Sequence, residues 1–203
     1  MKKPIVFLAV LVVCLAALSG FDSTFSFGKD TPPVEATAST EAMGSDVLAF
    51  QNLVSTVEIA HTKFSSLAAA MPEATYAWQP MDGVRIVSAV YIHIAADNFF
   101  VPSLMGLDAP DETGITDDVM TFRAYQEREM TKAEVVAAVD HSFEFLLGAM
   151  EETANNLERP LMLGGGETTV GDIWIRAVTH LHEHLGQSIA YARTNEVVPP
   201  WSN

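Results

Sequence analysis

Residues 173–187, IWIRAVTHLHEHLGQ, hold the pattern on which the reading of this chain turns. Ile173, Ala177, His180 and His184 recur at steps of three and four, the spacing that aligns side chains on one face of an α-helix. At about 100° per residue, His180 and His184 stand within roughly 40° of each other, one turn apart, as a bidentate clamp for a metal ion. His182 lies roughly 200° from His180 and points to the opposite side, so it is assigned to the surface. Glu183 also faces away from the pair. A zincin pattern starting at His182-Glu183 would need a histidine where Gly186 stands. The helix takes Thr168 or Thr169 as its cap and runs to about Thr194, with Asn195 as its stop. Gly164-Gly165-Gly166 in front of it has no lysine and no strand is read before it, so it is a turn and not a phosphate loop.

Three more helices are read upstream. Leu53, Val57, Phe64 and Leu67 form the stripe of the first, which Met71-Pro72 ends because proline cannot continue a helix. The second starts near Asp82-Gly83, carries Ile86, Val90, His93 and Phe100 on one face, and stops before Pro102. The third opens on Thr131-Lys132-Ala133-Glu134, a capping box, and continues through Val135, Val139, Phe143, Leu146 and Met150. Four amphipathic helices bury their stripes most simply as an all-α four-helix bundle. Few segments alternate with period two, so no strands are needed for the core. The connection from Pro102 to Met130 is long for a compact domain and reads as a crossover or lid, with a short helix around Asp117 to Glu127.

The chain's 203 residues suffice for one core beyond a leader. Lys2 and Lys3 precede an uncharged apolar run, Ile5 to Leu18, then Ser19 and Gly20. A membrane-crossing helix needs roughly 20 apolar residues, so this run is read as a signal peptide over residues 1–20. The protein is therefore expected to be exported, periplasmic or extracellular, and tethered only if the signal is uncleaved. Residues 21–45, rich in Ser, Thr, Ala, Gly and Pro, read as a flexible linker, and residues 46–203 as the bundle domain. A formal charge of -15 disfavours nucleic acid and anionic membrane surfaces as partners, and no membrane insertion is expected beyond the signal. The single cysteine, Cys14, lies in the leader, which leaves the body without disulfides, thiolate metal cages or a cysteine nucleophile.

Histidine therefore carries the candidate chemistry. His93 sits mid-helix on the inward stripe with Ile86 and Val90, and together with His180 and His184 it makes a three-imidazole site with positions open for water or substrate. Buried imidazoles need partners for both ring nitrogens, and a metal would supply one of them. Asp97, four residues after His93, and Gln187, three after His184, fall on the ligand face; each either orients a ligand, completes the coordination or handles a proton, or is an ordinary polar residue at the bundle's mouth. No side chain is assigned as a catalytic nucleophile. His61, between Val57 and Phe64, either approaches the site or is a buried, hydrogen-bonded histidine. His141 is off its stripe and solvated. The pocket rim would come from the 102–130 connection and the glycine-rich turn.

Several short motifs in fixed order resemble those of the DinB-like superfamily, which includes the YfiT-like metal-dependent hydrolases. They are Met71-Pro72-Glu73 with Tyr76-x-Trp78-x-Pro80, Val87-Ser88-x-Val90-x-x-His93-Ile94-Ala95, and His180-x-x-x-His184-x-Gly186-Gln187. The tail Ala192-Arg193-Thr194-Asn195 leading to Val198-Pro199-Pro200-Trp201 completes the set. The resemblance spans residue 46 to the C-terminus. It implies a four-helix bundle whose His93, His180 and His184 hold a divalent metal, commonly zinc or nickel, and it implies frequent homodimers. It also implies a small-molecule substrate, handled by a hydrolase or by a transferase using low-molecular-weight thiols. Two functional classes follow: an exported metal-dependent enzyme of one of those kinds, or a metal-stabilised bundle without a reaction, acting as a stress-associated binding or assembly module. Export weighs against the thiol transferase, because small thiols are scarce outside the cytoplasm.

Overall fold

Thr131 and Thr169 start two long helices by the same device. In the computed structural model, which describes residues 38–202, the Thr131 hydroxyl accepts from the Glu134 N–H at 3.3 Å while the Glu134 carboxylate accepts from the Thr131 N–H at 2.7 Å. Thr169 and Asp172 exchange the equivalent pair at 3.1 and 3.2 Å. Each box satisfies backbone donors that the first turn of a helix leaves unpaired.

The helices are α1 (Ala38–Ala70), α2 (Val87–Ser103), α3 (Val119–Gln126), α4 (Lys132–Thr153) and α5 (Val170–Thr194). α1, α2, α4 and α5 form the four-helix bundle, and α3 lies in the long connection, capped by Asp118, whose carboxylate accepts from Met120 N–H. The short helix expected around Asp117 to Glu127 is this element. α1 begins at Ala38, so the end of the segment read as linker, 21–45, is helical from Ala38 on. Helix elongation adds one hydrogen bond per residue once a packed helix exists, and the Ala, Ser, Thr and Glu residues there do not oppose it. The signal peptide over residues 1–20 and the rest of that linker lie outside the described residues. No described helix is long and apolar enough to cross a membrane.

α2 departs from the expected single stripe. Every residue from Val90 to Phe100 is buried, because α4, α5 and α3 surround the helix. A helix apolar on all faces belongs inside a fold, which is where α2 runs. It also starts at Val87 and passes through Pro102 before ending at Ser103. In the last turn Pro102 forfeits a single backbone bond, and Leu104, Met105 and Leu107 close the end through the Phe100 and Pro102 carbonyls.

Aromatic packing joins the helices. Phe64 of α1 meets Tyr91 of α2 edge-on at 6.4 Å and Phe143 of α4 at 5.7 Å. Phe64 and Phe143 are fully buried, and such burial stabilises by about 1.5–3 kcal/mol per side chain. Trp174, also enclosed, donates its indole N–H to Thr153 Oγ1 at 2.9 Å and pins the start of α5 to the end of α4. Lys132 donates to the Ala69 and Met71 carbonyls at 2.8 and 2.7 Å, so the first residue of α4 closes the C-terminus of α1.

A small sheet was not expected from the sequence. β1 (Pro160–Leu163) and β2 (Gly166–Thr169) pair antiparallel, with Leu163 opposite Gly166. Gly164 and Gly165 make the two-residue turn, with φ of +62° and +85°, a conformation that suits glycine and matches the twist of a hairpin. A strand thus does precede the glycines; Gly164 and Gly165 form the expected turn, while Gly166 opens β2. At the other end of α5, Glu196 takes the left-handed conformation beyond Asn195, and Val197 N–H returns to the Ala192 carbonyl at 2.9 Å.

Thr131→Ala is expected to lower the unfolding free energy by about 1 kcal/mol at neutral pH, read by urea titration. The Thr131 hydroxyl and N–H hold the Glu134 carboxyl below its ordinary pKa. Its contribution is therefore present above that ordinary value and fades as the pH falls through the lowered one. An unchanged midpoint at pH 7 would contradict the capping role.

Candidate metal centre

His93 occupies the middle of α2, where α5 packs against it, and His180 and His184 come from successive turns of α5. The three rings converge. Their centroids are 5.3 Å (93–180), 4.7 Å (93–184) and 4.5 Å (180–184) apart, with planes at 78° to 87°. One ring nitrogen from each lies within 4.8 Å of the others, and His93 Nε2 is 3.2 Å from His180 Nε2. Metal–nitrogen bonds of about 2.0–2.1 Å set tetrahedral ligand atoms about 3.3 Å apart, so this donor set is on the scale one ion requires.

Asp97 belongs to the same point. One turn along α2 from His93, its Oδ2 lies 3.1 Å from His93 Nε2 and 3.0 Å from His180 Nε2. Three imidazoles and a carboxylate are hard-to-borderline donors suited to zinc, nickel or a similar divalent ion. The residues present therefore fit such a metal.

Two glutamines turn the rings. His93 Nδ1 donates to Gln126 Oε1 at 2.8 Å, and His184 Nδ1 donates to Gln187 Oε1 at 2.8 Å. An amide oxygen can only accept, so each bond fixes the proton on Nδ1 and leaves the Nε2 lone pair for the centre. Gln187 is held in turn: its Nε2 donates to the Tyr191 hydroxyl at 3.1 Å, which donates to the Arg85 carbonyl at 3.1 Å. The orienting role for Gln187 is one of those the sequence suggested. Gln126 was not identified there, since it stands in α3, 33 positions from His93, in a connection with no periodic signal.

Electrostatics separates the three rings. Burial lowers the His93 pKa to about 4, against the opposing pull of Asp97. Burial also lowers that of His184, against its bond to Gln187. His180 is raised, chiefly by its hydrogen bond to Asp97. Two rings are consequently neutral at pH 7, the form in which imidazole ligates metals. His180 is also less enclosed than expected. Its side chain is 38% exposed against 8% for His93, which stands in the fully buried stretch of α2. The centre therefore opens on the α5 side. Of the two expected sources of its rim, the 102–130 connection supplies Phe122, which meets the His93 ring edge-on at 6.0 Å, and Gln126.

The remaining histidines lie elsewhere. His182 is exposed and bonds back to the Val178 carbonyl at 2.8 Å. His61 pairs with Asp140 at 3.1 Å and stacks on Phe143 at 4.9 Å; it is hydrogen-bonded, as one of the two readings had it, but only half-buried. Asp140 also accepts from the Ser65 hydroxyl. His141 is exposed, its ring against the edge of Phe99.

Comparison with known proteins gives a consistent placement. The family model described as the DinB superfamily matches residues 56–188, a span that contains His93, Asp97, His180 and His184. Among solved structures, the chain is similar to a DinB-like protein from Bacillus cereus ATCC 10987, with 12% identity and a TM-score of 0.62 over 75% of this chain and 97% of that one. It is also similar to a DinB-like protein from Bacillus subtilis, with 16% identity and a TM-score of 0.54 over 72% and 93%. These likenesses concern the fold. No curated protein matches the chain.

In metal-free protein, long-range ¹H–¹⁵N spectra at neutral pH are expected to show His93 and His184 as Nδ1–H tautomers. His93 should take up its second proton only near pH 4, so between 6.5 and 4 the unfolded chain gains a proton that the native ring refuses, and this ring's contribution to stability falls as the pH drops. Nε2–H tautomers at both positions would contradict the orienting role of the glutamines.

Proposed function

The chain belongs to the DinB superfamily, and we propose that it binds one divalent ion, zinc or nickel, through His93, His180 and His184 and uses it as an exported hydrolase of a small-molecule substrate. The observation that carries this reading is the convergence of three imidazole nitrogens within 4.8 Å, two of them on rings whose far sides are already bonded to amide oxygens. Structural zinc sites are closed by four protein ligands and catalytic ones keep a position open. Here the α5 side of the cluster is exposed to solvent at His180. A divalent ion at this point would supply Lewis acidity, polarising a substrate and lowering the pKa of a nucleophile toward neutrality.

The chain's own residues have separable tasks in this proposal. Gln126 and Gln187 hold the His93 and His184 rings with Nε2 turned inward. Asp97 Oδ2, within 3.1 Å of two of the nitrogens, either completes the ligand set or accepts a proton there. Phe122 shields His93 on the α3 side. Hydrolysis is preferred to thiol transfer because water is the abundant nucleophile outside the cytoplasm. The export reading rests on Ile5 to Leu18 behind Lys2 and Lys3 and makes the protein periplasmic or extracellular.

Metal analysis after dialysis against zinc tests the proposal. Wild type and His182→Ala are expected to hold one equivalent, and His180→Ala to hold none. Equal loss in the two variants, or no metal in the wild type, would overturn it. Gln126→Ala is expected to keep the ligands yet weaken zinc affinity about 10- to 100-fold, measured by chelator competition.

A further inference from the structure

Arg85 lies in the segment between Trp78 and α2, and its position is tied to both orienting chains of the metal centre. Its Nη2 is 3.5 Å from Gln126 Oε1, the oxygen that accepts from His93. Its backbone carbonyl accepts from Tyr191, which accepts from Gln187, which orients His184. The segment is itself anchored: Val87 N–H donates to the Trp78 carbonyl at 3.0 Å, and the Trp78 ring meets Tyr191 edge-on at 5.3 Å. An exposed arginine is ordinarily solvated surface. This one stands on a braced loop with its head against Gln126, the residue that orients His93.

Its charge is uncommitted. Among the described residues no carboxylate pairs with Arg85, although the chain carries 26 Asp and Glu against 11 Lys and Arg. The contact with Gln126 is long for a hydrogen bond and occupies one of five guanidinium N–H donors. A protein of charge -15 repels anions at long range, so a cation placed beside the ligand site has a local use that the overall field does not serve.

We propose that Arg85 selects small ligands that carry a carboxylate, pairing with that group while the other end of the ligand occupies the metal centre. The proposal rests on metal binding by His93, His180 and His184. One guanidinium matches one negative charge, and its planar fork fits the two oxygens of a carboxylate. A phosphate dianion would call for further cations at the same place. Arg85 is in this account a specificity-determining residue, not a ligand of the ion.

Cobalt-loaded protein allows a direct test with two thiols that share a metal-binding head and differ in the tail, 3-mercaptopropionate and 2-mercaptoethanol. Binding is followed by the thiolate-to-cobalt absorption band. Arg85→Gln is expected to weaken 3-mercaptopropionate about tenfold, the scale of a charge-assisted hydrogen bond, and to leave 2-mercaptoethanol unchanged. Arg85→Lys, which keeps the charge without the fork, should fall between. Equal affinities for 3-mercaptopropionate in wild type and Arg85→Gln, or equal weakening of both thiols, would overturn the role of Arg85 while leaving metal binding intact. Failure of the wild type to take up cobalt would instead overturn the metal-binding reading, and this inference with it.

Discussion

The constraint on which this structure depends is the burial of polar side chains on its most enclosed helix. α2 is covered on all sides from Val90 to Phe100, yet it carries His93, Asp97 and Asn98 there. An unpaired polar group in such a place costs several kcal/mol, and an unpaired charge far more. Each of the three must be met by a neighbouring element. Asn98 donates to Ser142 of α4 at 3.1 Å, His93 donates to Gln126 of α3, and Asp97 faces His93 and His180 of α5. α3, α4 and α5 thus each answer one of these polar residues, and the three-histidine cluster is the point where two of those answers coincide.

That arrangement explains why the site has a rigid side and an open side. His93 is held by burial, by the edge of Phe122 and by Gln126. His180, on α5, is the ring that can be approached from solvent. Ligand rings on rigid helices, turned by hydrogen bonds from behind, are preorganised for a cation without strain in the backbone. Asp97 lies between His93 and His180, its Oδ2 3.1 and 3.0 Å from their Nε2 atoms.

Much of this was legible in the sequence because helices announce themselves by period. The His180–His184 pair, the Thr131 capping box, the short helix of the long connection and the stop at Asn195 each follow from local spacing or local chemistry. Asp97 and Gln187 could be placed on the ligand face by the same arithmetic. What escaped had no local signature. α2 is apolar all round, so its stripe could not be told from its other faces, and its passage through Pro102 depends on the closing bonds of the last turn. The strands of the hairpin are four residues each, with half of those residues exposed, and the sequences PLML and GETT are too short to announce a strand by alternation. Gln126 meets His93 only through the tertiary path of α3, and Arg85 sits in a loop where nothing but the fold brings it against Gln126.

The central claim is that His93, His180 and His184 share one cation. Anomalous diffraction at the zinc edge, from crystals of the zinc-loaded protein, tests it most directly. The account predicts a single strong peak about 2.0–2.1 Å from a nitrogen of each of the three rings. A peak on exposed His182 or His141 with none among the three rings, or no protein-bound peak at all, would contradict it.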